Sequence, residues 1–180
     1  MLRFIMLALL MLCAACTTLP DLAPPMPSSI YKLGTGDRLR ITVFGEPALT
    51  GEFALDGGGA IAYPLLGNVV AGDKSTLELG NEITARLGEA YVRNPRVSVE
   101  VLNYRPVYVL GEVARPGEFP FVEGLSAFAL IAKAGGFTYR ANRKVLFVRH
   151  EKDTAEKAYA LTGSLAIRPG DTVRVGERYF

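Results

Sequence analysis

The side chains that could perform nucleophilic or acid–base chemistry are few in this chain of 180 residues. The single histidine, His150, lies between Arg149 and Glu151 at the end of a predicted strand. A serine hydrolase would need this imidazole beside a nucleophilic serine, and the sequence contains no Gly-x-Ser-x-Gly turn. We therefore interpret His150 as a surface residue at a strand end.

Paired carboxylates are the second candidate chemistry. Glu46, Glu52 and Asp56 are close in sequence, and a glycosidase needs only two carboxylates about 5–10 Å apart. No apolar neighbourhood marks one of them as desolvated, so we interpret all three as solvated loop acids. One histidine and one retained cysteine cannot form a closed zinc site. The sequence thus predicts neither an enzyme nor a metal or cofactor, and a small glycan-processing enzyme stays as an alternative.

Cys16 is the residue with the most specific chemical context. A basic start at Arg3 precedes an apolar run, residues 4–12, that is too short to span a bilayer. Ala14-Ala15-Cys16 follows and is similar to the lipidation motif of bacterial lipoproteins, although Cys13 stands where leucine is usual. We predict a signal peptide over residues 1–15, cleavage before Cys16 and attachment of a diacylglyceryl group to its thiol. Thr17 in place of Asp favours, by analogy with enterobacterial sorting, the periplasmic face of the outer membrane.

Composition limits the partners. Residues 16–30 are rich in proline and predict an extended tether between the lipidated Cys16 and the fold. Without residues 1–15 the chain has 19 basic and 18 acidic side chains. Binding of nucleic acid needs a concentrated basic face, so this near-neutral balance argues against it.

Two runs of alternating residues predict the strands around which the fold is arranged. Val97, Val99 and Val101 alternate with polar residues, and a second run begins at Pro106. Arg115-Pro116-Gly117 then predicts a type II turn. We interpret this stretch as the junction between two small sheet-bearing domains. Tyr104 and Phe121 beside it could stack on sugar rings, but we favour packing at the junction.

The first domain is predicted to combine a small sheet with one helix. Residues 38–44 alternate, with Leu39, Ile41 and Val43 on the inner face, and two short β-prone pieces follow around residues 61–63 and 68–70. Ser75 and Glu78 have capping-box spacing and open a helix that should end by Asn94. Its apolar stripe is predicted to be Leu79, Ile83, Leu87 and Ala90.

The second domain is predicted to contain a short helix over residues 126–134, closed by Gly135-Gly136, and a strand over residues 144–149. Residues 152–158 are interpreted as a charged connection, and residues 167–175, which contain Pro169-Gly170-Asp171, as the segment that closes the unit. Gly36-Asp37 and Gly170-Asp171 precede similar strand sequences, and we interpret both as turns rather than as a true repeat. The whole chain is therefore predicted to be α+β.

Several longer motifs resemble the outer-membrane polysaccharide export lipoproteins, and together they cover nearly all of the mature chain in order. Those similar to the family's export domain are Tyr31-x-Leu33-Gly34-x-Gly36-Asp37-x-Leu39-x-Ile41-x-Val43, Gly59-x-Ile61-x-Tyr63-Pro64-Leu65-x-Gly67 and Asn94-Pro95-x-Val97-x-Val99. Those similar to its β-grasp module of the SLBB type are Val109-x-Gly111-Glu112-Val113-x-x-Pro116-Gly117 and Ala134-Gly135-Gly136-Phe137-Thr138.

The resemblance implies an export domain over residues 31–103 and an SLBB-type domain over residues 104–180. It implies a non-enzymatic, lipid-anchored protein that forms a homo-oligomeric ring, conducts capsular or exopolysaccharide and docks on an inner-membrane copolymerase. Longer relatives add further β-grasp modules and a pore-forming amphipathic helix, whereas this sequence ends at Phe180. We therefore expect a separate outer-membrane β-barrel partner or a wholly periplasmic role. A monomeric carbohydrate-binding lipoprotein is the runner-up.

Overall fold

The computed structural model describes residues 22–24 and 30–178. Its elements confirm the α+β class. Cys16, the predicted signal peptide and most of the predicted tether lie outside the described residues. No helix within the described residues is long and apolar enough to cross a membrane.

The first half of the chain folds as a three-stranded antiparallel sheet, a hairpin and one helix. The sheet has the order β2-β1-β5, and β3 pairs antiparallel with β4 to form the hairpin. The elements are β1 (Arg38–Val43), a 3-10 turn (Pro47–Leu49), β2 (Gly51–Ala54), β3 (Ala60–Tyr63), β4 (Gly67–Val70), α1 (Thr76–Ala90) and β5 (Val97–Asn103).

Helix α1 begins as the sequence predicts. The Ser75 hydroxyl accepts from the Glu78 N–H, and the Glu78 carboxylate accepts from the Ser75 N–H, which completes the capping box. Leu79, Ile83 and Leu87 are fully buried in one core with Leu39, Ile41 and Val43 of β1. Ala90 was predicted to continue this stripe, but it is the last residue of the helix and is exposed.

The second half folds as a five-stranded mixed sheet with one helix on its inner face. The strand order is β7-β6-β10-β8-β9, in which only β6 and β10 are parallel. The elements are β6 (Val107–Gly111), β7 (Gly117–Phe119), α2 (Ala127–Lys133), β8 (Ala141–Arg149), β9 (Lys157–Ala160) and β10 (Thr172–Glu177). Placing the first long strand beside the last in a mixed sheet that one helix covers fits the expected β-grasp arrangement.

The core of this half lies between α2 and the sheet. Val109, Val148 and Val173 come from neighbouring strands and are fully buried with Leu130 of α2. Ser126 caps α2 through its hydroxyl, and Gly135 and Gly136 close the helix at φ values of 84° and 88°, as predicted. The predicted domain limits, residues 31–103 and 104–180, stay predictions.

Two sequence predictions in this half were wrong. Residues 152–158 are not only a connection, since Lys157 begins β9. The closing segment contains the predicted turn at Gly170-Asp171, which carries the buried Asp171 and is followed by β10 from Thr172. Gly117 has a φ of 150°, whereas a type II turn needs about +80°. Gly117 instead begins β7 opposite Val109.

The described piece of the predicted tether is attached to the second sheet. Leu22 forms a parallel bridge with Ala158, and the Ala23 N–H donates to the Ala158 carbonyl at 2.7 Å. Ala23 also packs against the core of this half. Residues 22–24 therefore cover the edge of β9, which differs from the free spacer that the proline content predicts.

Candidate functional site: the cleft at the domain junction

The junction between the two halves is organised around Arg105, in the linker between β5 and β6. Its side chain is only 13% exposed. Its Nε lies 3.5 Å from Asp37 Oδ1, an ion-pair distance, but makes no hydrogen bond to any described residue. Its Nη1 donates to Glu151, and its Nη2 lies 3.3 Å from the Tyr31 hydroxyl. One guanidinium thus connects both halves of the chain.

Two buried carboxylates flank this junction in turns of the same construction. Asp37 Oδ2 accepts from the Gly34 N–H at 2.9 Å, and Asp171 Oδ2 accepts from the Arg168 N–H at 2.8 Å. Both aspartates are almost fully buried, and each follows a glycine with positive φ. The interpretation of both sites as turns is confirmed. Apart from the repeated Gly-Asp pair before a strand, nothing in the linear order of residues indicates their burial.

His150 differs from the prediction of a surface histidine. Its side chain is 18% exposed, and its Nδ1 lies 2.7 Å from Asp171 Oδ1. Asp171 comes from the turn before β10 and His150 follows β8, so the pairing of these two strands brings them together. The sequence could not show this contact because 21 positions separate the two residues.

A cleft of about 680 Å³ opens between the two halves at this point. The first half contributes residues around Tyr31 and Asp73, the linker contributes Tyr104 and Arg105, and the second half contributes most of the remaining wall. Clefts between domains with a few convergent polar groups are common places for ligands. The cleft is therefore the candidate site of this chain.

The aromatic residues at the junction pack on one another, as we favoured from the sequence. The Tyr104 ring lies 5.0 Å from the Tyr31 ring and 5.3 Å from the Phe121 ring, in edge-to-face geometry in both cases. Burial and the hydrogen bond to Asp37 raise the pKa of Tyr31 well above its usual value. Burial, with the Glu123 charge nearby, also raises the pKa of Tyr104. Both phenols are neutral at physiological pH.

The three predicted loop acids do not form a catalytic pair. Glu52 is exposed and bonds Arg40 at 2.8 Å, and Asp56 is exposed and caps its own turn by accepting from the Gly58 and Ala60 N–H groups. Glu46 is half-buried and lies at the start of the 3-10 turn. No cluster within the described residues has the three or more ligands that could hold a metal ion.

Comparison with known families gives an independent assignment. Residues 25–102 match the family described as polysaccharide biosynthesis/export protein, and residues 106–154 match the SLBB domain. The chain belongs to the polysaccharide export family. Both matches fall in the order that the sequence motifs indicated, and the junction with Arg105 lies between them.

Curated relatives of this export family protein are named for the production, export or transport of polysaccharides. The exopolysaccharide production protein ExoF of Rhizobium meliloti is 32% identical over 131 residues, which are 66% of this chain and 31% of the relative. The EPS I polysaccharide export outer membrane protein EpsA of Ralstonia nicotianae is 29% identical over 88% of this chain and 50% of the relative. The polysialic acid transport protein KpsD of Escherichia coli is 29% identical over 82% of this chain and 28% of the relative. The chain spans between about a quarter and half of the length of these relatives.

Proposed function

We propose that this protein is a lipid-anchored component of an exopolysaccharide or capsule export channel. It works as an oligomeric ring at the periplasmic face of the outer membrane and conducts polysaccharide without catalysing its chemistry. The observation that carries this proposal is the match of an export domain and an SLBB domain, in that order, over most of the chain. An inner-membrane copolymerase and a separate outer-membrane β-barrel are its proposed partners.

The surface of the second sheet supports assembly with neighbouring copies. Helix α2 covers the inner face, while Tyr108 and Leu110 project from the outer face and are 41% and 47% exposed. In the first sheet β2 and β5 are the outer strands. A closed ring would cover such faces and edges and would remove them as sites of aggregation.

The cross-junction contacts support a ring of fixed geometry. Each copy must present its two halves at one angle if copies are to close into a ring rather than an open filament. Arg105 joins Asp37 and Tyr31 of the first half to Glu151 of the second, and Lys152 pairs with Asp73 across the same junction. These contacts oppose rotation of one half against the other.

Light scattering of the mature protein, extracted from membranes in mild detergent, tests the proposal. We expect a mass of several copies, and we expect the Cys16→Ser variant to lose membrane association. A monomer that remains monomeric when the copolymerase is added would contradict the ring. A monomer that binds a defined glycan with saturation would instead support the runner-up, a carbohydrate-binding lipoprotein, which the cleft at the junction favours.

A further inference from the structure

The cleft between the two halves is large enough for a ligand and is built from both of them. Its volume of about 680 Å³ lies within the range of about 300–1,000 Å³ typical of small-molecule sites. The partly buried rings of Tyr104 and Phe121 form an apolar wall in its lining. Most of the segment 163–169, which precedes β10, also lines the cleft.

Most charged groups in the cleft already have partners. Arg105 is paired with Glu151, Lys152 with Asp73, and His150 with Asp171. Two further lining residues pair with groups outside the cleft: Lys32 with Glu78, and Asp153 with Lys157. These pairs neutralise one another and leave little net charge to attract a strongly anionic or cationic ligand.

A smaller set of polar groups in the cleft is uncommitted. The Arg168 guanidinium and the Glu123 carboxylate make no hydrogen bond or ion pair with residues 22–24 or 30–178. Among the described residues, the Ser164 hydroxyl has one hydrogen-bond partner, the Thr162 hydroxyl at 3.3 Å. His150 uses Nδ1 for Asp171, and its Nε2 has no partner within the same residues. The free groups are thus one cation, one anion and two groups that can exchange hydrogen bonds with a hydroxyl.

We propose that this cleft binds a short, uncharged saccharide segment, with Glu123 and Arg168 as its polar contacts. Sugar hydroxyls both donate and accept, which matches a carboxylate acceptor, a guanidinium donor and the two-way groups of Ser164 and His150. The C–H faces of a sugar ring fit the apolar wall of Tyr104 and Phe121. This inference rests on the proposed function, because the saccharide would be a segment of the transported polysaccharide. Each copy of the chain in the ring would then contact that polymer through its own cleft.

Titration of the full mature protein in detergent tests the site. The probe is a set of oligosaccharides of about two to six sugars, a length that suits a cleft of this size, made by partial acid hydrolysis of the polysaccharide secreted by the source strain. We expect saturable binding of one oligosaccharide per chain by isothermal titration calorimetry. Glu123→Ala and Arg168→Ala should each weaken it at least about tenfold, because each removes hydrogen bonds from a charged group.

Matched controls separate a contact from a general effect of charge or stability. Glu89→Ala and Arg93→Ala remove the same side chains from exposed positions in the last turn of α1 and just after it, outside the cleft lining, and should leave binding unchanged. The backbone N–H of Arg168 keeps its bond to Asp171 in Arg168→Ala, so its melting temperature should stay close to that of the parent. Absence of saturable binding, or equal loss in cleft and control variants, would overturn the proposal.

The mass of the assembly, measured on the same samples, distinguishes this inference from the proposed function. An assembly of several copies that binds no oligosaccharide contradicts the cleft site and leaves the ring standing. Saturable binding that Glu123→Ala abolishes, by a protein that stays monomeric even when the copolymerase is added, supports the cleft site and contradicts the ring.

Discussion

The Arg105 side chain occupies the space next to Gly34. Its guanidinium lies directly over Gly34, where an added Cβ would stand 2.2 Å from Nη1 and 2.6 Å from Cζ. Only glycine leaves this space free. At position 34, which the sequence shows only as part of a turn, any larger residue must therefore displace the side chain of a residue 71 positions later in the chain.

Substitution of Gly34 by alanine should displace this guanidinium and destabilise the fold. We expect a loss of about 1.5–3 kcal/mol, the size of hydrogen bonds to charged groups. Gly57→Ala is the control, since no heavy atom of the described residues lies within 4 Å of its Cβ position. Urea unfolding measures both. In an Arg105→Ala background the Gly34→Ala loss should almost vanish, and an undiminished loss there would refute the explanation.

Glu78 should make the stability of the fold depend on pH. Its hydrogen bond from Lys32, together with that from the Ser75 N–H, lowers the pKa of the Glu78 carboxyl to about 2, against an ordinary value of 4.5. The folded state therefore favours the ionised form. Its contribution is complete above the ordinary value and is lost as the pH falls towards 2, because the unfolded chain takes up the proton first.

The variant Glu78→Gln tests this dependence, since the amide can still bond the Ser75 N–H but cannot titrate. The stability difference between parent and variant should be present at neutral pH and should shrink between about pH 4.5 and pH 2. Chemical unfolding at several pH values measures it. Lys32→Met should reduce the same slope, because Lys32 is the leading cause of the shift. A stability difference between parent and Glu78→Gln that does not change with pH would show that ionisation of Glu78 does not stabilise the fold.

At the scale of elements, the segment at residues 22–24 acts as an additional edge strand. The Ala23 N–H bonds the Ala158 carbonyl of β9, which is the outer strand of the second sheet. Edge strands with unpaired backbone groups invite association with other chains. Covering this edge protects the sheet and also fixes where the chain leaves it.

Ala23→Pro should release this segment from β9. Proline has no N–H, so the bond to Ala158 is lost at a cost of about 0.5–1.5 kcal/mol. We expect faster cleavage before Tyr31 in limited proteolysis, with little change in the melting temperature of the remaining fold. Ala23→Ser keeps the N–H and serves as the control. Equal cleavage rates in the parent and in Ala23→Pro would show that the pairing with β9 does not hold residues 22–24 in place.

In the whole molecule, the ion pairs that join the two halves contribute unequally to stability. Asp37 is fully buried beneath Arg105, whereas Lys152 and Asp73 are 70% and 71% exposed. Exposed ion pairs contribute little, because water and salt screen them. Removing one partner of a buried ion pair lowers the free energy of unfolding by about 3–5 kcal/mol. Without the Arg105 side chain, Asp37 would still accept three hydrogen bonds, so we expect a loss near the lower limit of this range.

Arg105→Ala should therefore destabilise the protein strongly and should uncouple the two halves. We expect the parent to unfold in one calorimetric transition, and we expect the variant to unfold at lower temperature in two separate transitions. Lys152→Ala should leave the transition nearly unchanged. A single, sharp transition for Arg105→Ala at the midpoint of the parent would show that the junction does not depend on this residue.

The elements that could be predicted from the sequence are those with a local cause. The alternation of Leu39, Ile41 and Val43 fixes a strand with one buried face, and the Ser75–Glu78 pair fixes the start of α1. Both need only neighbours within a few residues. The motifs of the export and SLBB domains were likewise present in the linear order of residues. This is why the α+β class and the family could be predicted.

The candidate site could not be predicted from the sequence, because its contacts join residues far apart in the chain. The pairing of β8 with β10 brings His150 to Asp171, and the linker brings Arg105 over Asp37 and Gly34. Charge alone could not distinguish these buried groups from the solvated Glu52 and Asp56. Burial depends on which surfaces the two sheets present to each other, and that is settled only when both halves have folded and met.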